Sequence, residues 1–353
     1  MPTSARMVAV AAHGLAGSRT DLPHEPLSEV EWFDLVQGCI TADLVGLLAA
    51  AAGDGHLPVT AGQAEQLDVL AAEHAGLSAL VERHAVTIAS LLEIAGIDHR
   101  IVDGPALGLA YPGDATHKLR PARRVRVLVG PERFDDARAL QGARPAISAG
   151  PVPRLERLAV VDVLPGLGRA PRADLPALLG GPARLDLDGR SVPVLALEQQ
   201  LVVACAELSL MPVPSLIALR DVAQLSLAPA LDMRAARRLA DRVGSSDALG
   251  GGVAQAWTWF DLADKTELSV WALRRSAPRA DRAAGRASSP AARVSFAQRV
   301  LGRRAPAPAP VTPTAGHAAA PFVPDPPWSP GDSAPVPSAA EGYARPHRST
   351  RRP

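Results

Sequence analysis

The sequence predicts an α+β body, a strand-containing core set between two helical zones and followed by a disordered tail. Three observations carry this reading. Apolar residues recur at helical spacing across residues 27–97 and again across 196–275. Between them, residues 98–195 break into short β-branched runs separated by Gly/Pro-rich turns. Beyond residue 275 the chain turns proline-rich: residues 276–353 hold 15 of the 34 prolines. Such a segment buries too little apolar surface to offset the entropy lost on ordering, so disorder is expected there.

Taken in order, residues 1–26 are expected to form a flexible N-terminus. The stretch from Met7 to Ala12 is only weakly apolar and is interrupted by His13, so it is not read as a signal peptide. Leu27-Ser-Glu-Val-Glu-Trp opens the N-terminal helical region (27–97), with Ser28 as N-cap and Glu31 at the capping-box position. Thr60-Ala-Gly-Gln caps a later helix, whose apolar face continues through Leu67, Leu70, Leu77, Leu80 and Val81. In the core (98–195), strands are expected at His99-Arg-Ile-Val, Val125-Arg-Val-Leu-Val and Leu158-Ala-Val-Val-Asp-Val. The C-terminal helical region (196–275) contains Gln199 to Leu208, Ser215 to Leu225 and Met233 to Val243. Trp257, Trp259 and Phe260 close it as core packing rather than as a ligand cage.

Composition bounds the function. With 353 residues, 47% of them hydrophobic, the chain can bury a substantial core. Its 37 basic and 36 acidic residues exclude a uniformly basic nucleic-acid binder and an acidic disordered chain. The balance is uneven, however. Residues 276–353 carry eleven arginines against four acids, a net +7, which leaves −6 on the rest of a chain whose total is +1. Only Lys118 and Lys265 are lysines, a bias expected of a GC-rich genome such as that of a high-GC bacterium. Cys39 and Cys205 lie far apart in apolar-periodic segments and read as buried free thiols of a reducing compartment. No apolar run approaches the roughly 18 residues of a membrane span, so the expected location is the cytoplasm and no membrane partner is expected.

The segments richest in chemistry are Ala95-Gly-Ile, Val102-Asp-Gly-Pro-Ala-Leu-Gly-Leu-Ala-Tyr-Pro112 and Leu119-Arg-Pro-Ala-Arg-Arg-Val-Arg-Val-Leu-Val129. Further on come Val161-Asp162-Val, Leu195-Ala-Leu-Glu-Gln-Gln-Leu and Leu219-Arg-Asp-Val-Ala-Gln-Leu225. In order and spacing these resemble a bacterial nucleotidyltransferase-like family of the polymerase-β-type nucleotidyltransferase superfamily, over roughly residues 30 to 265. The resemblance implies a small mixed sheet with helices. It also implies a site in which two carboxylates at i and i+2 of a strand, with a third on the neighbouring strand, hold two metal ions.

The sequence departs from that pattern where the chemistry needs it. Arg124 and Arg126 stand at the two Asp-x-Asp positions, Asp103 stands where the family has lysine, and Leu164 where it has histidine. Gly104 and Asp162 match. Two carboxylates replaced by two guanidiniums take the local charge from −2 to +2. Each unit pair at contact is worth on the order of 4 kcal/mol at an effective dielectric near 20, so a magnesium ion could not sit there as it does in the family.

The expected site is therefore Asp162 as the one matching catalytic carboxylate, with Gly104, Arg120, Arg124 and Arg126 as nucleotide-binding residues and no metal ligand. Two readings of the arginines stay open: Arg124 or Arg126 pairs with Asp162 in the place of the lost metal, or the two arginines bind a phosphate. A displaced metal site built from Asp103, Asp114 and Asp162 has no support in their spacing. The cluster Lys118, Arg120, Arg123, Arg124 and Arg126 lacks interleaved aromatics and is expected to be solvated or salt-bridged. His56, His74, His84 and His99 are expected as solvated or core histidines.

The leading expectation is a nucleotidyltransferase-like pseudoenzyme, catalytically impaired and retaining nucleotide or anion binding, with an NTP or another phosphate as ligand and no cofactor. The first alternative is an active nucleotidyltransferase acting on a small acceptor, the one case that calls for Mg2+. The second is a non-enzymatic scaffold whose basic tail meets a protein partner; nucleic acid is not expected on the folded body.

Overall fold

The computed structural model describes residues 3–102, 104–111, 119–120, 122–142, 160–164, 175–181, 183–263 and 266–276, all within one unit, Met1–Val300. Beyond Ser276 the expected tail lies outside the described residues, as do Asp103, Asp114 and Lys118.

The N-terminal stretch expected to be flexible is instead structured. Thr3–Ala12 forms helix α1, with Val10 and Ala11 fully buried. Its weak hydrophobicity is enough because small side chains let it pack closely, and Arg220 anchors its C-terminal end. The Arg220 guanidinium donates to the Ala11 carbonyl at 3.1 Å and to the His13 carbonyl at 2.7 Å, satisfying carbonyls that a helix end leaves open. The following segment meets the far end of the fold: Ser18 bridges Leu262, and the Ala263 N–H donates to the Gly17 carbonyl at 2.7 Å.

Helix α2 (Glu29–Thr41) begins after Ser28 as expected. The Glu31 carboxylate reaches back to the Ser28 N–H at 3.3 Å and to its hydroxyl at 2.8 Å, and it accepts from Arg6 of α1 at 2.5 Å. Helix α3 spans Val45–Gly53. Helix α4 runs 34 residues, Ala61–Ile94, about 51 Å at the α-helical rise. Its capping box is reciprocal: Thr60 Oγ1 accepts from the Gln63 N–H at 3.3 Å, and Gln63 Oε1 accepts from the Thr60 N–H at 3.0 Å.

The strands are β1 (His99–Val102), β2 (Arg124–Val129), β3 (Val160–Leu164), β4 (Ala183–Leu187) and β5 (Arg190–Val194). Among the described residues they form one mixed sheet in the order β3-β2-β1-β5-β4. β1 runs antiparallel to β2 and parallel to β5, while β2 and β3 are parallel. β4 and β5 close as a hairpin through Asp188 and Gly189, both at positive φ (51° and 71°), the two-residue turn whose twist matches paired strands. The fold is thus mixed α+β around a small mixed sheet.

Strand alternation decides what each face of the sheet carries. Val125, Val127 and Val129 of β2 pack with Val81, Ala85, Ile88 and Leu92 of α4. Leu128 packs on the opposite face with Val102 and Val203, so Arg124 and Arg126, at the same parity as Leu128, project to that second face. It is covered by α6 (Leu175–Leu179) and α7 (Leu197–Leu210), the short helix α5 (Phe134–Gly142) having followed β2.

Helices α8 (Leu216–Leu227), α9 (Met233–Arg242), α10 (Ser246–Trp259) and α11 (Glu267–Ser276) complete the body. Two helical zones separated in sequence share a single core: Leu35, Leu47 and Leu48 pack in one apolar cluster with Leu201, Leu219, Leu225 and Phe260. Trp257 and Phe260 are buried in it, and Cys39 and Cys205 are free and buried. Among the described residues no helix is long and apolar enough to cross a membrane.

Candidate functional site

A cavity of about 440 Å³ opens on the second face of the sheet, between β2, α7, α8 and a 3-10 turn at Gly104–Leu109. Four residues expected at the site from the sequence, Gly104, Arg120, Arg124 and Arg126, all line it. The fifth, Asp162, is in register with Arg126 on the adjacent strand β3, so these two positions are neighbours in the sheet.

Sequence reasoning missed the carboxylates that meet these arginines. Arg126 forks onto Glu207 of α7, with Nη1 to Oε1 at 2.5 Å and Nη2 to Oε2 at 2.8 Å. The pairing follows from pitch. Four residues of helix advance about 6 Å and two residues of strand about 6.6 Å. With Val203 packed on Leu128, Glu207, one turn on, falls opposite Arg126, two residues back. Arg120 forks onto Asp221 of α8, with Nε to Oδ1 at 3.0 Å and Nη2 to Oδ2 at 3.0 Å. Arg123 pairs with Asp43 at 2.7 Å. Three of the cluster's five cations, Arg120, Arg123 and Arg126, are therefore salt-bridged, to acids 80 to 101 residues away rather than to neighbours.

Asp221 is the hub. It is buried and also accepts from the Tyr111 hydroxyl at 3.0 Å. Burial, reinforced by the adjacent Asp221 charge, pushes the Tyr111 phenol up, which keeps it a proton donor to that carboxylate. Tyr111, Arg120 and Asp221 belong to three different segments that carry the family resemblance. The signal for Asp221 was thus present in Leu219-Arg-Asp-Val, but nothing in the segment alone gave it a partner. Glu207 had a fainter signal, an acid following the apolar run Leu201 to Ala206 on its helix.

Gly104 has a packing reason for being glycine. It sits at φ +50°, and a Cβ there would lie 2.7 Å from the Arg124 carbonyl oxygen, so only glycine lets this turn seat against β2. Gln200 of α7 donates to the Ala106 and Leu195 carbonyls at 3.0 and 2.8 Å. Its Oε1 is buried without a partner among the described residues, and the residue lines the cavity.

Among the described residues the cavity brings together four arginines (120, 123, 124, 126) and three acids (Asp43, Glu207, Asp221). Each of those acids is engaged by an arginine, and among the described residues no three Asp, Glu, His or Cys side chains converge there closely enough to hold a metal ion. His99 is a core histidine: its Nδ1 faces the Ile97 carbonyl at 3.0 Å, and burial lowers its pKa. The chain matches no protein-family model, no curated protein and no solved structure.

Proposed function

We propose that this cavity is a nucleotidyltransferase-type pocket converted to metal-independent binding of an anionic, nucleotide-like ligand, in a protein that does not carry out two-metal transfer. The observation that carries the reading is the convergence of Gly104, Arg120, Arg124 and Arg126 on one cavity whose described carboxylates are each held by a guanidinium. The segments that bear the family resemblance support it further by meeting at Asp221. In this reading Arg124, at the exposed end of β2, contacts the phosphate. The buried pairs of Arg120 and Arg126 fix the walls, and Gln200 Oε1 accepts from an N–H donor such as a base amino group.

Calorimetry with ATP tests this directly. Binding is expected in EDTA, unchanged by Mg2+, and weakened at least about tenfold by Arg124→Glu, where a cation becomes an anion at a screened site. Binding that requires Mg2+ and is lost on Asp162→Ala would instead establish the active enzyme. Absence of any nucleotide-induced thermal shift, with partner capture that depends on residues 276–353, would establish the scaffold.

A further inference from the structure

Away from the arginine cavity, the end of α1 and the end of α3 bring two imidazoles and a carboxylate together. One ligating atom from each of His13, Asp54 and His56 lies within 4.8 Å of the others. His13 Nε2 is 2.9 Å from Asp54 Oδ2, and the two imidazole rings stand 5.3 Å apart, edge to face at 62°. We propose that these three side chains bind a divalent transition-metal ion of the Zn2+ class, leaving a further coordination position open to solvent.

Local structure explains why the three meet. Helix α3 ends in a Schellman motif: the His56 N–H donates to the Ala51 carbonyl and the Gly55 N–H to the Ala52 carbonyl, both at 3.0 Å, with Gly55 at φ +73°. This reversal sets Asp54 and His56 on either side of one left-handed glycine. His13 arrives from the other direction. Its N–H bonds the Val10 carbonyl at 3.1 Å, its carbonyl is held by Arg220, and its side chain is only 9% exposed. The His13 imidazole is thus a fixed ligand, while Asp54, with a side chain 61% exposed, and the exposed His56 are free to rotate onto an ion. Bonds of about 2.0–2.2 Å in a tetrahedral site place ligand atoms roughly 3.3–3.6 Å apart, so closure takes rotations of exposed side chains and no backbone movement.

The donor set selects the ion. Two imidazoles with one carboxylate suit Zn2+, Co2+ or Ni2+, whereas Mg2+ and Ca2+ take oxygen ligands. Three protein ligands beside a solvent-facing position is the arrangement of an open zinc site. None of the three residues lines the arginine cavity, so the proposal is independent of the function proposed above.

The test uses the full, untagged chain stripped with chelator and titrated with Zn2+ by calorimetry, and with Co2+ by visible absorbance. One ion per chain is expected, with the intense d–d bands of a four-coordinate Co2+ and a rise in melting temperature on adding Zn2+. His56→Ala and Asp54→Asn, both at exposed positions, are each expected to weaken binding by more than about 100-fold, beyond what loss of an outer-shell contact does. Their metal-free melting temperatures should match that of the parent chain. Failure of the parent chain to bind an equivalent of Zn2+ overturns the proposal. So does retention of binding in both variants, which would place the ion on others of the nine histidines.

Discussion

Replacing Asp221 by alanine should be among the most damaging single changes available in this protein. The carboxylate is buried, accepts from the Tyr111 hydroxyl at 3.0 Å and holds the fork of Arg120. Removing one partner of a buried ion pair costs about 3–5 kcal/mol, and orphaning a buried hydroxyl adds about 1–3 kcal/mol. The Arg120 side chain keeps 15% exposure, so water recovers part of the loss, and about 4 kcal/mol is expected in total. At about 2–4 °C per kcal/mol for a body of this size, the melting temperature should fall by about 8–16 °C. Tyr111→Phe alone should cost about 1 kcal/mol. Combined with Asp221→Ala it should add almost nothing, because its acceptor is already gone. Calorimetric melts of the four proteins of this cycle measure both quantities. A fall below about 3 °C for Asp221→Ala, or strict additivity of the pair, would refute the buried network.

Gly104→Ala should lower the urea midpoint more than Gly14→Ala does. Both glycines have positive φ, about 1–2 kcal/mol for an ordinary residue, but only at Gly104 does the new Cβ strike backbone, 2.7 Å from the Arg124 oxygen, whereas Gly14 faces open space. The Glu31 carboxyl is held down from its usual 4.5 to about 2, first by the Arg6 hydrogen bond and then by those of Ser28. Because the folded value is the lower one, its stabilisation is present above pH 4.5 and is lost as pH falls through about 2. Glu31→Gln should therefore melt below the parent at pH 6, and the two should converge near pH 2 in an acid titration followed by circular dichroism. Burial pushes the Cys39 thiol up to about 12 and raises that of Cys205 as well. A disulfide reagent at pH 8 should thus find no fast thiol in the native protein and two after denaturation.

Features fixed by neighbours in sequence were legible, and those fixed by distant partners were not. Ser28 with Glu31 and Thr60 with Gln63 are caps readable at a spacing of three residues, and both stand in the structure. The strands at His99–Val102 and Arg124–Val129 follow from β-branched runs. The hairpin of β4 and β5 carried an Asp188-Gly189 turn signal that the broader reading passed over. Helix α1 was missed because its ten residues look marginal alone, and its C-terminal anchor, Arg220, lies 207 to 209 residues away. At the site, strand parity correctly sent Arg124 and Arg126 toward one cavity. Glu207 reaches Arg126, and Asp221 reaches Arg120, only through the packing of α7 and α8, which no local pattern encodes.

The ties between the two ends of the fold also set an order of events during synthesis. Helix α1 is complete by Ala12, yet Arg220, Leu262 and Ala263, which hold it and the segment after it, emerge some 200 to 250 residues later. At about 5–20 residues per second that is a wait on the order of 10–50 s. For that interval Val10 and Ala11, fully buried in the finished protein, have no native cover from α8. Nascent chains halted before residue 216 should therefore present α1 to whatever holds apolar segments at the ribosome, and chains released after residue 276 should not.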